Sequence, residues 1–187
     1  MTNAAIFASG EGTNAENIIK YFTNDPRIKI KLVFTNRAEA GVIARAEKHK
    51  KNVQIISKDS LENKTSQIIE FLKAEKINLI ILAGFLLKIL EALLKAFPDK
   101  IINVHPALLP KFGGKGMYGM HVHKAVIANK ENESGITVHF VNEEYDEGKI
   151  ILQEKCSVAN NDTAESLAKK IHELEYVYFP KAIEKLL

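Results

Sequence analysis

Apolar positions along this chain switch repeatedly between strand-like runs and helical spacing. The run AAIFA at 4–8 stops at SGEGTN, 9–14, and AENIIKYF follows with Ile18, Ile19 and Phe22 on one helical face. Strand, glycine turn and helix open a nucleotide- or phosphate-binding α/β unit. IKIKLVFTN at 28–36 alternates and then turns apolar, which predicts a second strand. GVIARAEKHK at 41–50 predicts a helix and VQII at 53–56 a third strand. Over 60–76, Ile68, Ile69 and Leu72 mark one helix with Ser60 as its cap. LIILA at 79–83 is continuously apolar between Asn78 and Gly84, the signature of a strand buried on both faces. LLKILEALLKAF at 86–97 predicts an apolar helix ended by Pro98, and KIINV at 100–104 the next strand.

The pattern then changes. KFGGKGMYGM at 111–120 has four glycines and no period, so it reads as a loop. VHKAVIANK at 122–130 reads as a helix. GITVHFVN at 135–142 and KIILQEKCSV at 149–158, joined by EEYDEG, predict an antiparallel pair. The last stretch is a helix with Asp162 as N-cap, Glu165 three residues on, and Pro180 breaking it in two. The whole predicts an α/β chain: a mostly parallel central sheet, helices on both faces in three Rossmann-like layers, and an antiparallel C-terminal strand pair. No repeat or linker divides 1–187, so one domain is expected.

Composition narrows the function classes. Of 26 basic residues only Arg27, Arg37 and Arg45 are arginines, and the net charge is +3. Lysines dispersed among acids do not form the arginine-rich face that nucleic-acid binding uses, so no nucleic-acid partner is expected. No apolar run approaches a membrane span, and MTNAAIFASGEG lacks the basic start and apolar core of a signal peptide. The single cysteine, Cys156, permits no internal disulfide, which points to a reducing, cytoplasmic setting.

Three segments can carry chemistry. In SGEGTN, backbone N–H groups and a helix start suit an anion, though an ordinary βα turn has the same glycines. Glu11 opposes that role unless its side chain turns away. At the mouth of the strand at 100–104, Asn103 and His105 share a face by their i, i+2 spacing and can hydrogen-bond one developing oxyanion. Pro106 and Pro110 then restrict the backbone. The alternative is a structural histidine beside a turn-forming asparagine. Asp146, in EEYDEG, either faces water or orients the His105 ring. His121 and His123 lack a third ligand at recognisable spacing, so no metal is expected. His139 shares a face with Thr137 and either lines a site or is a satisfied core histidine. Ser9 lacks the G-x-S-x-G elbow of a serine hydrolase.

SGEGTN, LAGF at 82–85, NVHPALLP at 103–110, SGITVHFV at 134–141 and YDEGKIILQ at 145–153 occur in one order across nearly the whole chain. That order resembles the phosphoribosylglycinamide formyltransferases of purine biosynthesis, and the Asn-x-His-Pro-x-Leu-Leu-Pro segment is specific to folate-dependent formyl transfer. The resemblance implies a formyltransferase fold, with a ribonucleotide-binding half at about 1–100 and a catalytic, folate-binding half at about 101–187. It implies formyl transfer from 10-formyltetrahydrofolate, as cosubstrate, to glycinamide ribonucleotide. It makes Asn103 and His105 the catalytic pair and Asp146 the carboxylate that raises the histidine's pKa and holds it cationic. Gly12, Thr13 and Asn14 would hold the 5′-phosphate, with His172 also meeting it, and Glu175 the ribose hydroxyls. Leu86, Leu87, Lys88 and Ile89 would hold the pterin-like ring, partly through backbone groups. Asn142, Glu143, Glu144 and Tyr145 would close the folate pocket, to which Asn103 also belongs. The chain departs from the family pattern at Glu11, and near Leu61 and Leu87, where some members carry arginines; Lys58 or Lys64 are candidate substitutes. Residues 111–120 run longer than a compact turn, making them a candidate lid, with Lys115 near phosphate.

Other readings stay open. A methionyl-tRNA formyltransferase would carry a further C-terminal domain, and a 10-formyltetrahydrofolate hydrolase an N-terminal one. A non-catalytic phosphosugar- or folate-binding module would not need Asn103, His105 and Asp146 together. A monomer and a homodimer are equally compatible with the sequence.

Overall fold

A computed structural model describes all 187 residues. The chain forms two compact units, Met1–Ile102 with Leu187, and Asn103–Leu186. No helix is long and apolar enough to cross a membrane.

The first unit holds β1 (Thr2–Phe7), α1 (Thr13–Tyr21), β2 (Ile28–Thr35), α2 (Val42–Lys48), β3 (Asn52–Ile55), α3 (Lys58–Asn63), α4 (Thr65–Ala74), β4 (Leu79–Leu82), α5 (Glu91–Ala96) and the start of β5 (Ile101–His105). The strand order is β3-β2-β1-β4-β5, and β1 pairs in parallel with β2 and β4, as β2 does with β3. Residues 4–7 of β1 and all four of β4 are buried, which is why both read as unbroken apolar runs. Phe7 packs on Phe34 at 4.7 Å and edge-on to Phe85 at 5.3 Å. These rings tie the carboxyl ends of β1 and β2 to the segment leaving β4, so the exits of the strands have fixed positions.

Two helices differ from expectation. The stretch 60–76 is α3 and α4, separated at Lys64, whose backbone (φ −124°, ψ 24°) leaves the helical region. The cap is Ser57, whose hydroxyl accepts the Ser60 N–H at 3.1 Å. The predicted helix at 86–97 shrinks to α5; residues 84–90 are irregular. Gly84 sits at φ +76°, which needs glycine, and the Leu86 N–H is taken by the Ser9 hydroxyl at 2.9 Å. With Leu86 56% exposed, the apolar spacing there belongs to a loop.

The second unit holds the rest of β5, α6 (Met120–Ala128), β6 (Glu133–Phe140), β7 (Ile150–Ser157) and α7 (Ala164–Glu184), in strand order β5-β6-β7. β6 and β7 are antiparallel, with Thr137 opposite Gln153. Residues 111–119 form a loop, as expected. α7 begins at Thr163, which forms a capping box with Ser166; Asp162 instead accepts from Ser166 and from Lys170. Pro180 does not break α7. A proline inside a helix costs about 3 kcal/mol. Here Phe179, Ala182 and Ile183 are fully buried around it, and burying such side chains returns about 1.5–3 kcal/mol for a large one.

Candidate active site

In the second unit β5 delivers Asn103 and His105 at its carboxyl end, and the β6–β7 connection delivers Asp146. His105 is 3% exposed and lies between two acceptors. Its Nε2 is 2.8 Å from the Phe112 carbonyl, so that nitrogen carries the proton and donates. Its Nδ1 is 3.5 Å from Oδ2 of Asp146. Asp146 Oδ2 also accepts the Gly114 N–H at 2.9 Å, and its Oδ1 lies 3.6 Å from Nε2 of His139. That His139 nitrogen is 3.3 Å from Nδ2 of Asn103, while His139 Nδ1 donates to the Phe140 carbonyl at 2.8 Å. Asn103, His139, Asp146 and His105 therefore form one connected polar chain. The alternatives for His139 close here: it joins the site.

Two effects oppose each other at His105. Burial pushes its pKa below 6.5; the Asp146 carboxylate and the Phe112 carbonyl pull it up without offsetting that loss of hydration. Nδ1 faces the Asp146 carboxylate, which favours a proton there. Burial alone would raise Asp146. The two neighbouring histidines and the Gly114 N–H outweigh it and hold the carboxyl below its usual range, so Asp146 is ionised.

The exit from this site is held by a residue whose role the sequence did not reveal. Thr137 is fully buried; its hydroxyl donates to the Ala107 carbonyl at 2.7 Å and accepts the Leu109 N–H at 3.0 Å. Gln153 donates to the same hydroxyl and to the Leu109 carbonyl, both at 2.9 Å. The segment that carries Pro106 and Pro110 is thus anchored by β6 and β7 as well as by its prolines. The signal was available in part, since Thr137 and Gln153 are cross-strand partners in the predicted hairpin.

On α7, His172 and Glu175 sit one turn apart with Nδ1 3.3 Å from Oε2, and the His172 ring tilts against Tyr176 at 4.3 Å. Asn142, Glu143, Glu144 and Tyr145 are exposed on the loop before Asp146, with the Glu144 N–H on Oδ1 of Asn142 at 3.2 Å. His123 is buried and its Nδ1 has no hydrogen-bond partner.

In the first unit Gly12, Thr13 and Asn14 form the turn into α1, with Gly12 at φ +73°. A Cβ on Gly12 would lie 2.4 Å from Cβ of Val42, so only glycine fits. Leu86, Leu87, Lys88 and Ile89 lie in the irregular segment after β4, where the backbone is not committed to a helix; Ile89 is buried. Ser9 ties the second of these segments to Asn36: its hydroxyl donates to Asn36 at 2.6 Å and accepts from Leu86.

A profile of the formyl transferase family matches residues 2–183. The chain belongs to that family. Phosphoribosylglycinamide formyltransferase of Bacillus subtilis is 37% identical over 191 residues, covering all of this chain and 95% of that protein. The chloroplastic enzyme of that name from Arabidopsis thaliana is 40% identical over 181 residues, covering 93% of this chain and 62% of its own length. This chain spans about three-fifths of the two plant relatives, 62% and 60%. Among solved structures, the phosphoribosylglycinamide formyltransferase of Bacillus halodurans has a TM-score of 0.90 at 34% identity, covering 100% of this chain and 95% of that one. Glycinamide ribonucleotide transformylase 1 of Geobacillus kaustophilus has 0.91 at 33%, covering 100% and 99%. The fold of this family member is therefore the mostly parallel α/β formyltransferase fold with its antiparallel C-terminal pair.

Proposed function

We propose that this formyl transferase moves the formyl group of 10-formyltetrahydrofolate to the amine of N1-(5-phosphoribosyl)glycinamide, giving the formylglycinamide ribonucleotide and tetrahydrofolate in de novo purine (IMP) biosynthesis. The observation that carries the reading is the connected Asn103–His139–Asp146–His105 chain at the end of β5, in a protein whose full-length relatives bear that name.

The amine attacks the formyl carbon, a C–N bond forms, and the carbonyl oxygen takes negative charge. Asn103 Nδ2 and the His105 Nε2–H are the donors for that oxyanion. In the resting arrangement the Nε2–H is occupied by the Phe112 carbonyl, so the substrate oxygen replaces it. The amine then loses a proton and N10 gains one as its bond to the formyl carbon breaks. His105 assists that proton movement through Nε2, and the Asp146 carboxylate facing Nδ1 stabilises positive charge on the ring. Gly12, Thr13 and Asn14, with His172, serve the phosphate; Glu175 serves the ribose hydroxyls. Residues 86–89 and 142–145 serve the folate, which enters as cosubstrate.

Folate deformylation, followed spectroscopically with and without the ribonucleotide, tests the reading. Turnover that requires the ribonucleotide supports transfer. Equal turnover without it makes the protein a hydrolase, and binding of either ligand without turnover makes it a binding module.

A further inference from the structure

The geometry points to Arg45 as a positioning residue for the phosphate loop, which it serves by fixing that loop's backbone and keeping the Glu11 carboxylate turned away from the bound anion. The inference rests on the reading that residues 12–14 hold the ribonucleotide phosphate.

Arg45, on α2, is forked between two acceptors of the loop and of the helix that follows it. Its Nε donates to the Glu11 carbonyl at 2.8 Å and its Nη1 to the Glu16 carboxylate at 2.6 Å. Beside it the Val42 N–H donates to the Gly10 carbonyl at 3.1 Å, and Val42 fills the space where Gly12 lacks a side chain. The loop 10–12 is therefore seated on α2 at three successive residues.

The Glu11 side chain follows from the same seating. Its carboxylate folds over Gly41: a Cβ placed there would lie 2.6 Å from Oε2 of Glu11 and 3.2 Å from its Cα. A bare glycine at 41 thus makes room for an acid that would otherwise stand in an anion-binding turn. Glu16 does not depend on Arg45 alone, since Lys20 and His49 each lie 3.1 Å from its Oε1. Removing Arg45 therefore releases the Glu11 carbonyl while α1 and α2 stay tied.

The test is steady-state kinetics on the full chain, with folding checked by thermal melting. Arg45→Ala should raise the KM for the ribonucleotide about tenfold, the scale of one hydrogen bond to a charged group, with kcat and the folate KM within about twofold. Adding Glu11→Gln should return that KM to within about threefold of wild type, because the displaced charge is gone. Arg45→Lys should fall between, since one ammonium cannot span both acceptors. An unchanged KM in Arg45→Ala, or a rise that Glu11→Gln leaves in place, overturns the proposal. If Arg45→Ala does not fold, Gly41→Ala keeps Arg45 but displaces the carboxylate; a ribonucleotide KM that does not rise there overturns it equally. Thr13→Glu separates the two readings. If it raises the ribonucleotide KM and Arg45→Ala does not, only the Arg45 role fails; if neither does, the phosphate-loop reading fails too.

Discussion

Replacing Thr137 by valine tests how the catalytic strand's exit is held. The two side chains have nearly the same shape, so the core volume is kept and the hydroxyl alone is lost. Two buried backbone groups then lose their partner, the Ala107 carbonyl and the Leu109 N–H, which the hydroxyl meets at 2.7 and 3.0 Å. Each orphaned group costs about 1–3 kcal/mol, which gives about 2–6 kcal/mol for the pair. Gln153 adds little, because it is exposed to water and keeps its bond to the Leu109 carbonyl. Thr137→Ser keeps the hydroxyl and loses one methyl, about 1 kcal/mol. The assay is urea unfolding of both variants, comparing midpoints at constant m. Valine should cost clearly more than serine, and kcat should fall with it because the backbone beyond His105 loosens. A valine variant as stable as the serine one would refute the hydroxyl's role.

Asn103→Ala removes one oxyanion donor and should lower kcat by about 10²–10³ with the fold intact; wild-type turnover from the folded variant would sink its assignment. Gly12→Ala should destabilise by about 1–3 kcal/mol, because the new Cβ meets Val42 and the backbone is left-handed; an unchanged melting temperature would contradict the loop's packing. Stability should also depend on pH. Burial holds both His105 and His123 below 6.5, so between the folded and unfolded pKa values the unfolded chain binds more protons. Their contribution is full above 6.5 and lost as pH falls through it, whereas the depressed carboxylates, Glu16 at about 2 among them, lose theirs only at lower pH. The urea midpoint should therefore drop between about pH 7.5 and 5.5, and His123→Gln should flatten the drop; a flat wild-type profile would contradict it.

The elements that were legible are those whose pattern has one reading. β4 is apolar at every position because both faces are covered, and β6 and β7 alternate about an obvious turn. Residues 86–90 misled because leucines and an isoleucine that line a loop fall by chance at helical spacing; only the Gly84 conformation and the Ser9 contact forbid the helix. Cap positions slipped to Ser57 and Thr163 because neighbouring serine, threonine and aspartate side chains compete for the same N–H groups. In the site, strand periodicity put Asn103 and His105 on one face, but their pairing as a catalytic group, and the part of Asp146, came only from the resemblance to the formyltransferases. The Phe112 carbonyl left no trace, since every residue has one. The charge of His105 depends on how deeply the ring is buried, which one sequence does not state. Arg45 looked like any basic residue on a helix, because its two acceptors lie 34 and 29 residues away.

The central claim is that the Asn103–His105–Asp146 cluster carries formyl transfer to the ribonucleotide. Formyl-labelled 10-formyltetrahydrofolate in a single turnover, with the label followed into glycinamide ribonucleotide, tests it most directly in wild type and His105→Ala. The account predicts label on the glycinamide amine with wild type, and at least a ~10²-fold slower transfer by the folded variant. Transfer at the wild-type rate without the imidazole, or label released as formate alone, would contradict it.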